Sequence, residues 1–207
     1  MKVASLTTLH RYTKWRHCSR QPLQVPFIVL ALLATDSLAQ AVELQVGGSY
    51  SLTFKDVDQH QLSTSDGHVT IITVVTKENE QKAQLVGDRF SQTLLADPKC
   101  RLITVVNFQQ KIVPLFRGIA LTVIRHRLEL QGNALRDLYS AKHINRNPRS
   151  DLFVVADFDG KTVSQFNIVP TSSEFAVFAF DGQGRLVRRW NAAPGSEALT
   201  TAIEEAR

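Results

Sequence analysis

Residues 68–76 read HVTIITVVT, a run in which nearly every side chain is β-branched. Such a run predicts a strand buried on both faces, at the centre of a sheet. From Glu78 to Ala96, apolar side chains recur every three to four residues, which predicts an amphipathic helix. Asp97-Pro98 ends this helix, and residues 101–107, RLITVVN, predict a second buried strand. Together these elements predict a β-α-β unit with parallel strands.

The segments on either side extend this prediction. Residues 43–54 alternate apolar and polar side chains around Gly47-Gly48, which predicts two short strands joined by a turn. Residues 111–149 keep helical spacing in two pieces, separated near Gly132. The chain therefore continues from the β-α-β unit into an irregular helical connection.

The last third of the sequence predicts two hairpins and a closing helix. Each hairpin has a turn that contains aspartate and glycine. The first joins residues 152–156 to 161–166, and the second joins residues 175–180 to 185–190. The closing helix begins at about Ser196, after Pro194-Gly195.

The N-terminus has the three-part form of a secretory signal. A basic start is followed by the apolar run Pro26–Ala34 and by small residues at Ala39 and Ala41. Cleavage is expected after Ala41, with Ala39 as the alternative, which gives a signal peptide over 1–41 and a domain over 42–207. An uncleaved anchor is disfavoured because the apolar run is too short to span a bilayer. We therefore expect a periplasmic or secreted protein without a transmembrane segment after removal of the signal.

The charge pattern restricts the classes of partner. The whole chain has a net charge of +5, but removal of residues 1–41 leaves basic and acidic side chains nearly balanced. The sequence therefore gives no nucleic-acid footprint. It also contains no phosphate-binding glycine loop, no Gly-x-Ser-x-Gly elbow and no His-Glu-x-x-His string, and no spacing indicates a complete set of metal ligands. No cofactor and no metal are expected.

The order of these elements resembles the thioredoxin-like fold. Residues 175–190, FAVFAFDGQGRLVRRW, with the helix after them, resemble the last hairpin and helix of exported thioredoxin-like and peroxiredoxin-like proteins. Together with residues 151–168 they are similar to the YtfJ-like group of exported bacterial proteins. The resemblance covers most of residues 49–206. It implies an α/β domain with a central mixed sheet flanked by helices.

The chain departs from this resemblance at the redox position. A redox-active member would carry Cys-x-x-Cys, or a peroxidatic cysteine, where the first central strand passes into its helix. Here that stretch, residues 76–82, reads TKENEQK. The cis-proline of the fold would lie near Phe175, whereas Pro170 falls in an expected loop. The sequence therefore favours a redox-silent binding or accessory protein that holds an unknown, possibly acidic, protein or small ligand.

Cys100 supports an alternative function as a thiol-dependent oxidoreductase or peroxidase. It is the one cysteine left after the signal is removed, and its neighbours Lys99 and Arg101 would lower its pKa. Its position at the start of a buried strand indicates a structural thiol instead.

A basic segment supplies candidate binding residues. Residues 111–149 contain eight basic and two acidic side chains, and Arg125, Arg127 and Arg136 lie on the predicted helices. They predict a basic face for an acidic partner or anionic headgroups. The alternative is an ordinary solvated helix surface.

Overall fold

The computed structural model describes residues 43–94 and 97–207, which form seven strands and five α-helices. The predicted signal peptide, residues 1–41, and its cleavage site lie outside the described residues. The strands are β1 Thr53–Lys55, β2 Gln61–Ser63, β3 Val69–Val75, β4 Cys100–Asn107, β5 Phe153–Asp157, β6 Ala176–Phe180 and β7 Leu186–Trp190. The α-helices are α1 Glu80–Leu94, α2 Arg117–Ala134, α3 Arg136–Ala141, α4 Lys161–Ser164 and α5 Ser196–Glu205. Short 3₁₀ turns cover Lys77–Asn79, Pro114–Phe116 and Pro148–Asp151.

Five of the strands form the central sheet, in the order β5-β4-β3-β6-β7. β3, β4 and β5 are parallel, and β6 and β7 are antiparallel to their neighbours. The predicted β-α-β unit is confirmed, with Val69 opposite Cys100 and Val75 opposite Val106. The expected fold class, a thioredoxin-like mixed sheet flanked by helices, is confirmed.

The sheet separates two apolar cores, because successive side chains of a strand point to opposite faces. In β3, Ile72 and Val74 face one core, while Ile71 and Val75 face the other. The first core is closed by the β1-β2 hairpin and by the segment that includes α4, and the second is closed by α1 and α5. This two-sided burial is what the continuous apolar run of β3 predicts.

Two of the predicted local structures are wrong. Residues 43–54 form no hairpin around Gly47-Gly48; instead β1 pairs with β2, and Ser49 forms a single bridge to Arg185. Residues 161–166 do not return as a strand, because the carboxylate of Asp157 accepts hydrogen bonds from the N–H groups of Gly160 and Val163, both at 2.8 Å, which starts α4. The Asp157–Gly160 turn is therefore a strand-to-helix connection.

The second predicted hairpin and the closing helix are confirmed. β6 and β7 are antiparallel, and Asp181 Oδ1 accepts hydrogen bonds from the N–H groups of Gln183 and Arg185 in the turn between them. α5 begins at Ser196. No peptide bond within residues 43–94 and 97–207 is cis, so the Val169–Pro170 bond is that of an ordinary loop.

Candidate functional site

The redox position of the resembled fold lies at the carboxyl edge of the sheet, where β3 passes into α1. In this chain Asn79, which is buried, closes the turn. Its Oδ1 accepts a hydrogen bond from the Thr76 N–H at 2.8 Å, and its Nδ2 donates to the Ser173 carbonyl at 2.9 Å. The turn after the central strand is thereby joined to the loop before β6.

Two further amides, at the end of β4, contact the same loop. Asn107 Nδ2 donates to the Ser172 carbonyl, and Gln109 Nε2 donates to the Thr171 carbonyl, both at 3.4 Å. Both side chains are buried. We call Asn79, Asn107 and Gln109 the amide cluster; its members bond three consecutive carbonyls and so hold residues 171–173 against the sheet.

The loop after β4 has an unusual backbone. Gln109 and Gln110 have φ angles of 54° and 58°, a left-handed conformation that non-glycine residues rarely adopt twice in succession. Side-chain hydrogen bonds offset the strain of this backbone conformation. Asn107 Oδ1 accepts the Gln109 N–H at 2.8 Å, and Gln110 Nε2 donates to the Asp159 carbonyl at 2.9 Å. Strain of this kind is found most often at functional sites.

An aromatic pair lies beside this loop. The rings of Phe108 and Phe158 stack with centroids 4.6 Å apart. The guanidinium of Arg117, at the start of α2, lies 5.5 Å from the Phe158 centroid, within the range of a cation–π contact. Both rings are partly exposed, so the edge presents aromatic surface as well as polar groups.

Charged side chains surround the amide cluster. Lys77, Glu78 and Lys111 are exposed, and the Nζ of Lys111 lies 3.9 Å from Glu78 Oε1. Within residues 43–94 and 97–207 the one cysteine is Cys100, which lies elsewhere, so the described residues of this edge include no thiol. The groups that it does have can donate and accept hydrogen bonds and pair with charges.

Cys100 lies at the opposite edge of the sheet. It begins β4 and pairs with Val69, the first residue of β3, whereas the redox position follows the last residue. Seven residues of strand separate the two levels, which is roughly 23 Å. Cys100 and the amide cluster therefore do not form one site.

The surroundings of Cys100 favour the protonated thiol. Burial and the negative charge of Asp97 raise its pKa above the ordinary value of 9.0, and Arg207 opposes them only in part. Arg101 does not contribute, because adjacent strand residues point to opposite faces. Its side chain bonds Asp66 and Thr70 instead. The lowering of the thiol pKa that Lys99 and Arg101 predict is therefore not found.

The three candidate arginines differ in their surroundings. Arg125 donates from Nε to the Val57 carbonyl at 3.1 Å and lies 3.5 Å from Asp58. Arg127 forms an exposed ion pair of 2.9 Å with Glu80. Arg136 is exposed, with no side-chain partner in the part of the chain that the structure describes. Much of the basic charge on α2 is thus balanced by acids from other elements.

A group of metal-ligand side chains, not foreseen from the sequence, is formed by Asp56, Asp58 and His60. Asp56 accepts the N–H groups of Asp58 and His60 at 2.9 and 2.7 Å, and its Oδ2 lies 2.8 Å from His60 Nδ1. Asp58 is paired with Arg125 and Arg149. These hydrogen bonds and ion pairs stabilise the turn that carries the three side chains, and this structural role explains why they lie together.

A shallow cavity of about 360 Å³ lies beside β7. It is lined by residues 46–47 and 185–188 and by Glu205. Arg188 and Glu205 form an ion pair of 2.7 Å within this lining. None of the residues considered as candidate site residues above lines this cavity.

The amide cluster was also not foreseen from the sequence. The available signal was the position of Asn107 at the end of a buried strand and of Gln109 just after it, where polar side chains meet the carboxyl edge of a parallel sheet. Asn79 lies four residues beyond the end of β3, and its partner Ser173, like those of Asn107 and Gln109, is distant in the sequence.

None of the helices within the described residues is long and apolar enough to cross a bilayer.

Similarity to known proteins was found at the level of structure. No family model matches the chain, and no curated protein matches it. A putative thiol:disulfide interchange protein DsbE from Chlorobium tepidum is 11% identical, with a TM-score of 0.49 over 79% of this chain and 99% of that one. A thiol peroxidase from Chromobacterium violaceum is 13% identical, with a TM-score of 0.49 over 79% and 87%. An exposed lipoprotein thioredoxin from Streptococcus pneumoniae is 14% identical, with a TM-score of 0.47 over 75% and 99%.

These identities and TM-scores are too low to carry chemistry from those proteins to this chain. The fold class follows from the order and directions of the strands and from the helices that pack on both faces of the sheet. The molecule is a thioredoxin-like domain with no thiol where its central strand passes into the first helix.

Proposed function

We propose that this chain is an exported, redox-silent thioredoxin-like protein with a binding or accessory role. The observation that carries the proposal is Asn79. It lies in the turn where redox-active members carry their thiols, and both ends of its amide are bonded within the fold. The turn thus holds the loop before β6. Residues 76–82 contain no thiol that could exchange a disulfide.

The carboxyl edge supports a role in binding. In α/β sheets, ligands bind beyond the carboxyl ends of the strands, where loops from neighbouring strands converge. Here the left-handed Gln109-Gln110 pair, the Phe108–Phe158 stack and exposed charged side chains occupy that position. A protein or small ligand with hydrogen-bonding and charged groups would fit this edge.

The exported location rests on the predicted signal over residues 1–41. The competing function, a thiol oxidoreductase or peroxidase using Cys100, requires a thiolate at neutral pH. Burial and Asp97 both oppose that thiolate. Cys100 also lies at the start of β4, opposite Val69, and not at the carboxyl edge.

The redox part of the proposal is tested by enzyme assays on the purified protein and its Cys100→Ser variant. We expect neither protein to reduce insulin disulfides with dithiothreitol or to consume hydrogen peroxide above background. Activity that is present in the wild type and lost in Cys100→Ser would replace this proposal with the enzyme.

The binding part is tested by affinity capture from the exported fraction. The double variant Lys77→Glu/Lys111→Glu reverses two exposed charges at the carboxyl edge. The matched control Lys55→Glu/Lys99→Glu reverses two exposed lysines elsewhere. We expect a partner captured by the wild type and by the control to be lost from the edge variant. Equal capture by all three proteins would rule out the carboxyl edge as the binding surface.

A further inference from the structure

Arg117, the first residue of α2, is a partly buried cation that the described part of the chain does not pair. Its Nε atom is buried and has no hydrogen-bond partner. Within residues 43–94 and 97–207 its guanidinium forms no ion pair and no hydrogen bond, and it contacts the Phe158 ring at 5.5 Å from the centroid. The other two arginines of α2 both form ion pairs with acids of neighbouring segments. A buried donor gives up its hydration, so a donor left without an acceptor indicates a ligand group that the fold itself does not supply.

The unpaired guanidinium lies beside an aromatic surface that the backbone holds in place. Phe108 and Phe158 stack with their centroids 4.6 Å apart, although they belong to different loops. The N–H of Phe108 donates to the Asp157 carbonyl at 3.0 Å, and Gln110 Nε2 donates to the Asp159 carbonyl at 2.9 Å. These bonds fasten the two loops to each other, so the rings keep their position without a ligand. A surface that is ordered in advance loses little entropy when it binds.

Positive charge exceeds negative charge in the segments around these rings. In residues 77–78, 111–117 and 159–161, the charged side chains are Lys77, Lys111, Arg117 and Lys161 against Glu78 and Asp159. Asp159 is paired with Lys161 at 3.0 Å, and Glu78 lies 3.9 Å from Lys111. Lys77 and Arg117 therefore remain without an ion-pair partner among the described residues. An excess of cations of this kind attracts an anionic ligand.

The donor and its surroundings favour a carboxylate over a phosphoryl group. A guanidinium carries a rigid fork of N–H donors, and a carboxylate accepts two of them side by side. The adjacent rings suit an apolar or aromatic group joined to that carboxylate. A phosphate site is commonly built from the N–H groups of a glycine-rich loop, and residues 108–116 contain no glycine.

We propose that Arg117 and the Phe108–Phe158 stack bind a carboxylate that is joined to an apolar or aromatic group. The carboxylate accepts hydrogen bonds from Arg117, the apolar group packs on the rings, and the nearby lysines attract the ligand to the site. The carboxylate is either the carboxyl terminus of a polypeptide or part of a small organic acid. This inference rests on the proposed binding function, because it names the class of ligand that the carboxyl edge takes.

The inference is tested by NMR titration of the exported protein with N-acetylphenylalanine, and with its amide as the uncharged control. We expect a saturable shift of the Arg117 Nε–H signal and of the backbone signals of Gln110 and Lys111 with the acid, and no such shift with the amide.

Three variants show whether the guanidinium of Arg117 binds the acid. Arg117→Gln should weaken binding of the acid at least about tenfold, followed at the backbone signals. Arg117→Lys keeps the charge but loses the fork of donors, so it should also bind more weakly than the wild type. The control Arg136→Gln removes an exposed cation of α3 and should bind as the wild type does. Unchanged backbone signals away from the site establish that each variant is folded.

Two further probes identify the source and the class of the ligand. A pentapeptide that ends in phenylalanine and binds more tightly than N-acetylphenylalanine would assign the carboxylate to a polypeptide terminus, whereas equal binding would assign it to a small organic acid. Tighter binding of inorganic phosphate than of either carboxylate would overturn the assignment of the ligand class.

Three other outcomes would also overturn the inference: no saturable shift with the acid, equal shifts with the acid and the amide, or binding that Arg117→Gln leaves unchanged. The proposed function is judged separately, by capture of a partner with the Lys77→Glu/Lys111→Glu variant. If that variant loses the partner while the wild type shows no response to carboxylates, the proposed function stands and this inference alone fails.

Discussion

Asn79 and Ser173, separated by more than ninety residues of sequence, are joined by a hydrogen bond of 2.9 Å from Nδ2 to the carbonyl oxygen. The bond fastens the turn after the central strand to the loop before β6. Asn107 and Gln109 make the neighbouring bonds to the same loop. Redox-active thioredoxin-like proteins carry their thiols at this edge of the sheet. In this chain, three amide side chains at the same edge bond the loop before β6.

Replacing Asn79 with alanine should destabilise the fold by about 1–3 kcal/mol, because the N–H of the buried Thr76 and the Ser173 carbonyl would each lose their partner. Urea unfolding followed by circular dichroism measures the change. Gln84→Ala, at an exposed amide on α1, is the control and should stay within about 0.5 kcal/mol of the wild type. Equal stability of the two variants would contradict the structural role of the amide.

Arg101 is a buried cation whose removal should be costly. Its guanidinium forms two bonds to Asp66, of 2.8 and 2.9 Å, and donates to Thr70 Oγ1 at 3.1 Å. We expect Arg101→Met to lower the free energy of unfolding by about 1–3 kcal/mol, because Asp66, Thr70 and the Ser63 carbonyl all lose the bonds from the buried guanidinium. The exposed pair of Arg188 and Glu205 supplies the comparison, since Arg188→Met should cost less than about 1 kcal/mol. Similar losses of unfolding free energy from both variants would show that the Arg101–Asp66 pair stabilises the fold no more than an exposed ion pair does.

The Arg101–Asp66 pair also predicts how the free energy of unfolding depends on pH in the acid range. Burial opposes ionisation of Asp66, but hydrogen bonds from His68 and Arg101 hold its pKa below the ordinary 3.8. The stability that this carboxylate contributes is therefore present above its unfolded pKa and is lost as pH falls through the lowered folded value. Arg101→Met should show a shallower loss of unfolding free energy than the wild type over the acid range. Parallel curves for the two proteins would contradict this assignment.

Gly160 allows a close approach that a side chain would block. Its φ is +80°, and an added Cβ would lie 2.3 Å from the Cβ of Pro170. Gly160→Ala should destabilise the protein and displace the loop at Pro170. Gly118→Ala, on α2 with nothing within 4 Å, should instead stabilise by up to about 1 kcal/mol. Thermal unfolding of both variants measures the difference, and a neutral Gly160→Ala would count against the packing described here.

Much of the fold follows from local pattern. The apolar runs of β3 and β4 predict buried parallel strands, and the Asp181–Gly184 turn predicts the last hairpin. The failure at residues 152–166 has a physical cause. An Asp-x-Asp-Gly sequence suits both a hairpin turn and the start of a helix, and the bonds from Gly160 and Val163 to Asp157 decide between them.

The candidate site was less predictable, because its contacts join distant parts of the chain. The absence of a thiol at residues 76–82 could be read directly. The amide cluster could not, since its acceptors are backbone carbonyls of residues 171–173. The expected effect of Arg101 on Cys100 failed because neighbours in a strand point to opposite faces.

A raised thiol pKa also has a consequence at high pH. Burial and Asp97 favour the protonated form of Cys100, so its contribution to stability is full below the unfolded pKa and is lost as pH rises towards the raised folded value. Cys100→Ser should therefore lose less stability than the wild type between neutral and alkaline pH. Chemical unfolding at matched pH values measures this, and identical alkaline slopes would contradict it.

The redox-silent state is tested most directly at Cys100 by mass spectrometry of the intact protein. In a Cys18→Ser background, Cys100 is the one cysteine in the chain. The protein is treated with stoichiometric peroxide, and a thiol-labelling time course is followed on the native fold and after denaturation. We predict no oxidised adduct and labelling that is complete only once the protein is denatured. Rapid native labelling together with a sulfenic acid or mixed disulfide at Cys100 would contradict the account and assign the chain to the thiol-dependent enzymes.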